Sequence, residues 1–347
     1  MDWDCKSMLP EELKILAAQM GEKPFRASQL FGWIHEKNVC TYDEMTNLPA
    51  AFRQRLEKEY PLVTLECVRM QVSKLDGTRK FLFRLEDGNV VESVWMEYHH
   101  GNSVCISTQV GCKMGCRFCA STLDGWVRNL KPSEMLEQIY QIQRIMKARV
   151  SNIVLMGTGE PMDNYDAVVR FIRLISHEKG LNISQRNITV STCGIVPRIR
   201  QFADEQLNVT LALSLHAPND EKRRELMPIA NRYHLDEVLD ACRYYYERTG
   251  RRLTFEYSLV GGKNDAEEDA RQLASLLKGL NCHVNLIPVN PIKERDYVQS
   301  GQKVIEAFKN KLEKYKINVT IRREMGRDID GACGQLRRRQ KEEKEEV

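Results

Sequence analysis

Three cysteines fall close together in the run QVGCKMGCRFC: Cys112, Cys116 and Cys119, spaced Cys-x-x-x-Cys-x-x-Cys. Thiolates crowded in this way bind metal. A structural zinc site asks for four ligands, usually from two Cys-x-x-Cys knuckles. No second knuckle exists among the eleven cysteines of the chain. Iron–sulfur clusters also bind cysteine thiolates, and a four-iron cluster held by three of them leaves one iron without a protein ligand. That iron can chelate the amino and carboxylate groups of a methionine such as S-adenosylmethionine offers, and an electron passed to the sulfonium then yields a carbon radical. Two further thiols have informative settings. Cys105 lies just upstream on an apolar run; taken alone, a free cysteine there is a small core residue. Cys333 sits between Gly331 and Gly334 in MGRDIDGACGQL, a stretch with little apolar content, and reads as presented rather than buried.

These residues need elements to position them. From about residue 103, strand-like and helix-like stretches alternate. Strands are expected at Val104–Ser107, Asn152–Leu155, Asn187–Ser191, Asn208–Leu213, Leu253–Leu259 and His283–Pro288. Helices are expected between them at Pro132–Ala148, Asn164–Lys179, Val196–Glu205, Leu235–Thr249 and Asp265–Gly279. Six βα units imply an α/β fold with a parallel sheet and outer helices, open or curled into a partial (β/α)6 barrel. Sites in such folds gather at the C-terminal ends of the strands, which is where the cysteine loop emerges. Period-two alternation puts Cys105 on a polar face with Ser103 and Ser107, and Val104 and Ile106 on the other. The run IVLMGTGEPMDN enters a Gly-rich turn and then a helix; glycines there let backbone approach a ligand.

The organisation expected is a helical accessory module over residues 1–62, a β-hairpin extension over 63–100 turning at Asp87-Gly88, and a barrel over 101–300. A helix, a strand and the Cys333 loop follow over 301–336, with a charged tail over 337–347. Hydrophobic residues make up 42% of the 347, enough for a sizeable core. No apolar run is long enough to cross a membrane, and the acidic, polar start reads as neither a signal nor a transit peptide. An odd number of cysteines spread over a long chain points to a reducing, cytoplasmic setting. The net charge of +4 is uneven: residues 1–100 carry 13 basic and 16 acidic side chains, whereas residues 311–339 carry nine and four. Such a patch is permissive for nucleic acid.

The cysteine spacing, with Phe118 before the last cysteine, resembles the radical S-adenosylmethionine signature. Together with RNL at 128–130, MGTGEP at 156–161, SLHAP at 214–218 and DIDGACGQL at 328–336, it resembles the RNA adenine-C2 methyltransferases of the RlmN family over nearly the whole chain. The resemblance implies one 4Fe-4S cluster on Cys112, Cys116 and Cys119, and two S-adenosylmethionines per turnover, as methyl donor and radical source. It implies cofactor contacts from Gly159, Glu160, Ser191, Ser214, Leu215, His216 and Asn290. Cys333 matches the S-methylcysteine intermediate, Cys105 the resolving thiol that ends a covalent protein–RNA intermediate as a disulfide, and Glu92 the proton acceptor. Without the resemblance Glu92 is a solvated strand carboxylate, and His216 a core histidine. The implied substrates are adenosine 2503 of 23S rRNA and adenosine 37 of certain tRNAs; phosphate contacts are expected from Lys74, Arg79, Lys80, Arg322, Arg323 and Arg327. The implied partners are these RNAs and an electron donor such as flavodoxin or ferredoxin, with no membrane and a monomeric state. The alternatives are a C8-methylating rRNA relative of the antibiotic-resistance type, a radical enzyme that never methylates itself, and a zinc-stabilised RNA-binding module without catalysis.

Overall fold

A computed structural model describes residues 3–290, 294–330 and 334–339. Three helices come first: α1 (Pro10–Gln19), α2 (Phe25–His35) and α3 (Ala50–Glu59). An antiparallel meander follows, β1 (Glu66–Val72), β2 (Arg79–Arg84), β3 (Val90–Tyr98) and β4 (Gly101–Cys105). The sequence shows only the β2–β3 hairpin; β1 escapes because a bulge between Cys67 and Arg69 interrupts its register, so no single period-two pattern runs through it.

From β4 onward the sheet is parallel. It adds β7 (Asn152–Leu155), β8 (Ile188–Thr192), β9 (Thr210–Ser214), β10 (Leu253–Leu259), β11 (Cys282–Pro288) and β12 (Asn318–Ile321) in spatial sequence, making ten strands with β1 and β12 as edges. The helices α4 (Pro132–Met146), α5 (Tyr165–Ile175), α6 (Val196–Asp204), α8 (Leu235–Thr249), α9 (Glu267–Leu276) and α10 (Gln302–Lys314) form the crossovers. The sheet does not close, so this is a partial barrel. A separate hairpin of β5 (Gln109–Gly111) and β6 (Trp126–Asn129), and the short helix α7 (Asp220–Leu226), complete the elements the site uses.

Alternation decides the two faces. Val104 and Ile106, Ile153 and Leu155, and Val190 join one hydrophobic cluster beneath the helices, so the opposite row (Cys105, Ser191, Ser214) faces the barrel interior. The N-terminal helices share that same cluster rather than forming a core of their own. Their dock is polar at its centre: Lys6 and Glu137 of α4 are both fully buried and pair at 2.6 Å, and His35 Nδ1 lies 2.8 Å from the Tyr140 hydroxyl.

Candidate active site

The cysteine loop is pinched at its base by β5 and β6. The Cys112 N–H donates to the Gly125 carbonyl at 2.9 Å. Gly111, at φ +76°, has no room for a side chain there, since a Cβ would sit 2.0 Å from that same oxygen. Inside the loop Thr122 Oγ1 donates to the carbonyls of Cys116 and Cys119 at 3.1 and 2.9 Å, and the Arg117 N–H ties the far side to Leu226 at the end of α7. All three thiols line one cavity of about 610 Å³ at the C-terminal ends of the parallel strands. Burial, with the neighbouring Cys119 adding to it, pushes the Cys112 thiol up to about 12 and that of Cys116 well up. A bound metal inverts this preference by stabilising thiolates. Among the described residues no three His, Cys, Asp or Glu side chains gather tightly enough to enclose a single ion. Three cysteine thiols on one cavity-lining loop are a donor set that suits an iron–sulfur cluster.

Beside the thiols the Gly-rich turn after β7 crosses the end of β4. A Cβ on Gly157 would meet the Ile106 carbonyl at 2.6 Å, and one on Gly159, at φ +113°, would meet Gln109 at 2.7 Å. Glu160 is buried, its carboxylate accepting the N–H groups of Cys193 at 2.8 Å and Met162 at 3.0 Å. Burial pushes this carboxyl up, and those donors oppose it. Further round, Ser191 and Ser214 Oγ lie 3.4 Å apart. His216 adopts φ +56°, and its Nδ1 accepts the Ser258 N–H at 2.9 Å. Burial and the Arg223 charge hold His216 down to about 3, so it is neutral and its proton sits on Nε2. Its ring meets Phe118 edge-on at 4.7 Å, joining the cysteine loop to the end of β9. Asn290 lines the cavity with these residues. Leu215 does not: its side chain is in the core, and only its backbone serves the site, donating to the Glu256 carbonyl at 3.0 Å.

Two buried residues in or behind this wall have no expectation from sequence. Glu256 is aligned with Ser214 on one side and Asn285 on the other. Asn285 Nδ2 donates to its Oε1 at 2.9 Å, while Oε2 is buried without a hydrogen-bond partner among the described residues. Burial pushes this carboxyl up, against Arg322 and Asn285. The alternation in LTFEYSLV, which puts Thr254, Glu256 and Ser258 on a polar face, could have found it. The other is the fully buried Arg223 of α7, for which the charged run DEKRREL carries no signal.

Cys333 lies outside the described residues, but its neighbours on both sides are held. Before it, Asp328 accepts from Ser73 Oγ at 2.6 Å and the Lys74 N–H at 2.7 Å; Asp330 accepts from Gln71 Nε2 at 2.9 Å, and its carbonyl accepts from Lys80 Nζ. After it, the N–H groups of Gly334 and Arg337 both donate to Glu92 at 2.6 Å. Lys80 and Glu92 pair at 3.1 Å with 0% and 4% of their side chains exposed. Gly334, at φ +84°, packs on the backbone next to Cys119, where a Cβ would meet the Ser121 nitrogen at 2.8 Å. Cys105, Ile329 and Gln335 line the same cavity as the three thiols. Two expectations are thereby corrected. Glu92 is no solvated carboxylate, because the returning C-terminal segment covers it. Lys80 cannot reach an RNA phosphate, because it is buried against Glu92. Arg322, Arg323 and Arg327 do stand exposed at the cavity mouth.

A parallel partial barrel with three cavity-lining thiols on the loop after its first parallel strand defines the radical S-adenosylmethionine class. The radical SAM superfamily model matches residues 106–277, and the model of the ribosomal RNA large subunit methyltransferase N-terminal domain matches residues 6–61. A probable dual-specificity RNA methyltransferase RlmN of Lachnospira eligens is 65% identical over 99% of this chain and 98% of its own. A protein of the same description from Clostridium novyi is 55% identical over 94% and 96%. The crystal structure of a radical SAM methyltransferase from Sphaerobacter thermophilus superposes with a TM-score of 0.92 at 43% identity, covering 96% of this chain and 99% of that one. The chain belongs to the RlmN family.

Proposed function

We propose that this protein methylates C2 of adenine in RNA, at adenosine 2503 of 23S rRNA and adenosine 37 of certain tRNAs. One observation carries the reading. Both flanks of Cys333 are anchored at the mouth of the cavity that Cys105, Cys112, Cys116 and Cys119 line. The flanks of the proposed methyl carrier, a second thiol and the three thiols of the proposed cluster site thus border one space.

Bound at the three thiols, a 4Fe-4S cluster with S-adenosylmethionine supplies one-electron bond cleavage and a methyl group, with two S-adenosylmethionines consumed per turnover. Gly159 leaves the cradle open for the amino end, and the Glu160 carboxylate lines that cradle. Ser191, Ser214, His216 Nε2 and Asn290 offer hydrogen bonds to the adenosyl portion, while Leu215 acts through its backbone. Cys333 carries the methyl carbon that becomes bonded to C2. Glu92 accepts the C2 proton; in the resting protein its carboxylate is engaged by Lys80, Gly334 and Arg337, so this role requires the segment after Cys333 to shift. Cys105 attacks the Cys333 sulfur and leaves a Cys105–Cys333 disulfide, which an external thiol reduces; the electron pair of the broken sulfur–carbon bond goes to the methylene carbon, which takes up a proton and becomes the C2 methyl group.

The target base must leave its stack to reach this cavity, and Arg322, Arg323 and Arg327 are placed to hold the flanking phosphates. Residues 1–62 form an accessory module for RNA shape, and 63–100 position the C-terminal segment. A monomer acting in the cytoplasm and reduced by flavodoxin or ferredoxin completes the reading. The test is to treat an rRNA fragment and a tRNA with reconstituted protein, digest them, and compare the product with 2-methyladenosine and 8-methyladenosine standards. Co-elution with the C2 standard is expected; a C8 product, or none, overturns the proposal.

A further inference from the structure

Arg223 is a buried charge with no carboxylate paired to it among the described residues. It is 0% exposed, and among the described residues no acid lies within ion-pair distance of it. Its Nη2 donates to the Cys193 carbonyl at 2.7 Å and its Nε to the Leu215 carbonyl at 3.3 Å. Its Nη1 is buried and has no hydrogen-bond partner among the described residues. Asp220, on the same helix, is turned away to the Leu235 N–H and His234. Removing an arginine from water without a counter-ion is costly, and native proteins keep such a charge only where something repays the loss of hydration.

The surroundings indicate what the counter-charge is. The two carbonyls that grip Arg223 follow the ends of β8 and β9, which form the cavity wall. Leu226 and Met227, just beyond Arg223, pack with Cys193 against Cys116, and Leu226 also holds the Arg117 N–H of the cysteine loop. The guanidinium therefore stands behind the wall that carries Cys116.

A thiolate-held iron–sulfur cluster is an anion, and it becomes more negative by one charge when reduced. We infer that Arg223 is the built-in counter-charge of the cluster, stabilising the bound anion and raising its reduction potential so that an electron carrier of modest strength can reduce it. Net charge around the sulfurs is one of the few levers a protein has on this potential. The inference rests on the radical S-adenosylmethionine reading of the three cysteines. It deepens that reading by assigning a cation that its motifs do not contain.

Two substitutions separate charge from hydrogen bonding. Arg223→Gln keeps a donor for the Cys193 carbonyl but removes the charge; Arg223→Lys keeps the charge. Iron and sulfide content of the wild type is measured first, because a wild type without a cluster refutes the class reading and not this one. Reduction potentials then come from titrating the reduced-cluster paramagnetic signal, and melting temperatures from cluster-free protein. The potential is expected to fall in Arg223→Gln and to stay near the wild type in Arg223→Lys, while cluster-free Arg223→Gln melts no lower than cluster-free wild type. Equal potentials in all three proteins overturn the inference, as does a Lys variant displaced as far as the Gln variant. If Arg223→Gln does not fold, its buried charge was not a cost of the cluster-free state, and that outcome overturns the inference too.

Discussion

At the scale of single residues, the chemistry of this chain was legible wherever it is local in sequence. The three-cysteine spacing, the Gly-rich turn and the small residues around Cys333 each announce themselves within a dozen positions. Glu92 does not, because the N–H groups that bury it come from Gly334 and Arg337, more than two hundred residues later. Glu256 makes a test of the interior. Burial raises its folded-state pKa above that of the unfolded chain, so its contribution to stability is fully present below the unfolded pKa and is lost as pH rises through the folded one. Glu256→Gln abolishes that loss. Its melting temperature, relative to wild type, is expected to be higher at about pH 8 than at about pH 5. A difference that does not change with pH contradicts the account. At Gly159 a left-handed backbone and a Cβ only 2.7 Å from Gln109 leave no room for a methyl group. Gly159→Ala is expected to cost about 1–3 kcal/mol in chemical denaturation and to weaken S-adenosylmethionine binding by equilibrium dialysis; unchanged stability contradicts the close approach.

Among elements, the parallel βα units were readable because buried strands and amphipathic helices have distinct periods and lengths. Leu235–Thr249, Leu253–Leu259 and Asn152–Leu155 agree residue for residue. The β5–β6 hairpin was not, since its strands have three and four residues and the whole cysteine loop lies between them. The meander's purpose was hidden for another reason: β1 and β2 carry Gln71 and Lys80 to a segment near the C-terminus, and nothing in a local window reports such a pairing. Breaking a buried ion pair from one side costs about 3–5 kcal/mol. Lys80→Met therefore destabilises by that order and also releases the Asp330 carbonyl. Faster amide exchange at Gly334 and Arg337, with no change in α8, is the expected signature; exchange as slow as in the wild type contradicts the anchor. Lys6→Met at the helical dock is milder, toward or below the lower end of the same range, because Arg144 remains on Glu137.

For the whole molecule, the returning C-terminal segment and the basic mouth converge on one cavity, and in the proposed function RNA meets both. Contacts from Arg322, Arg323 and Arg327 to phosphates make affinity fall steeply with salt, and removing one of them reduces the slope of log K against log salt by about one. A slope unchanged in Arg323→Ala places the RNA elsewhere. The central claim is that RNA becomes bonded to Cys333 and is released by Cys105. Its most direct measurement is the mass of the Cys333-containing peptide after anaerobic incubation of Cys105→Ala protein with cluster, S-adenosylmethionine, reductant and an rRNA fragment. The account predicts an adenosine attached to that peptide through one methylene carbon. An unadducted peptide, in a preparation whose wild-type counterpart methylates the same RNA, contradicts it.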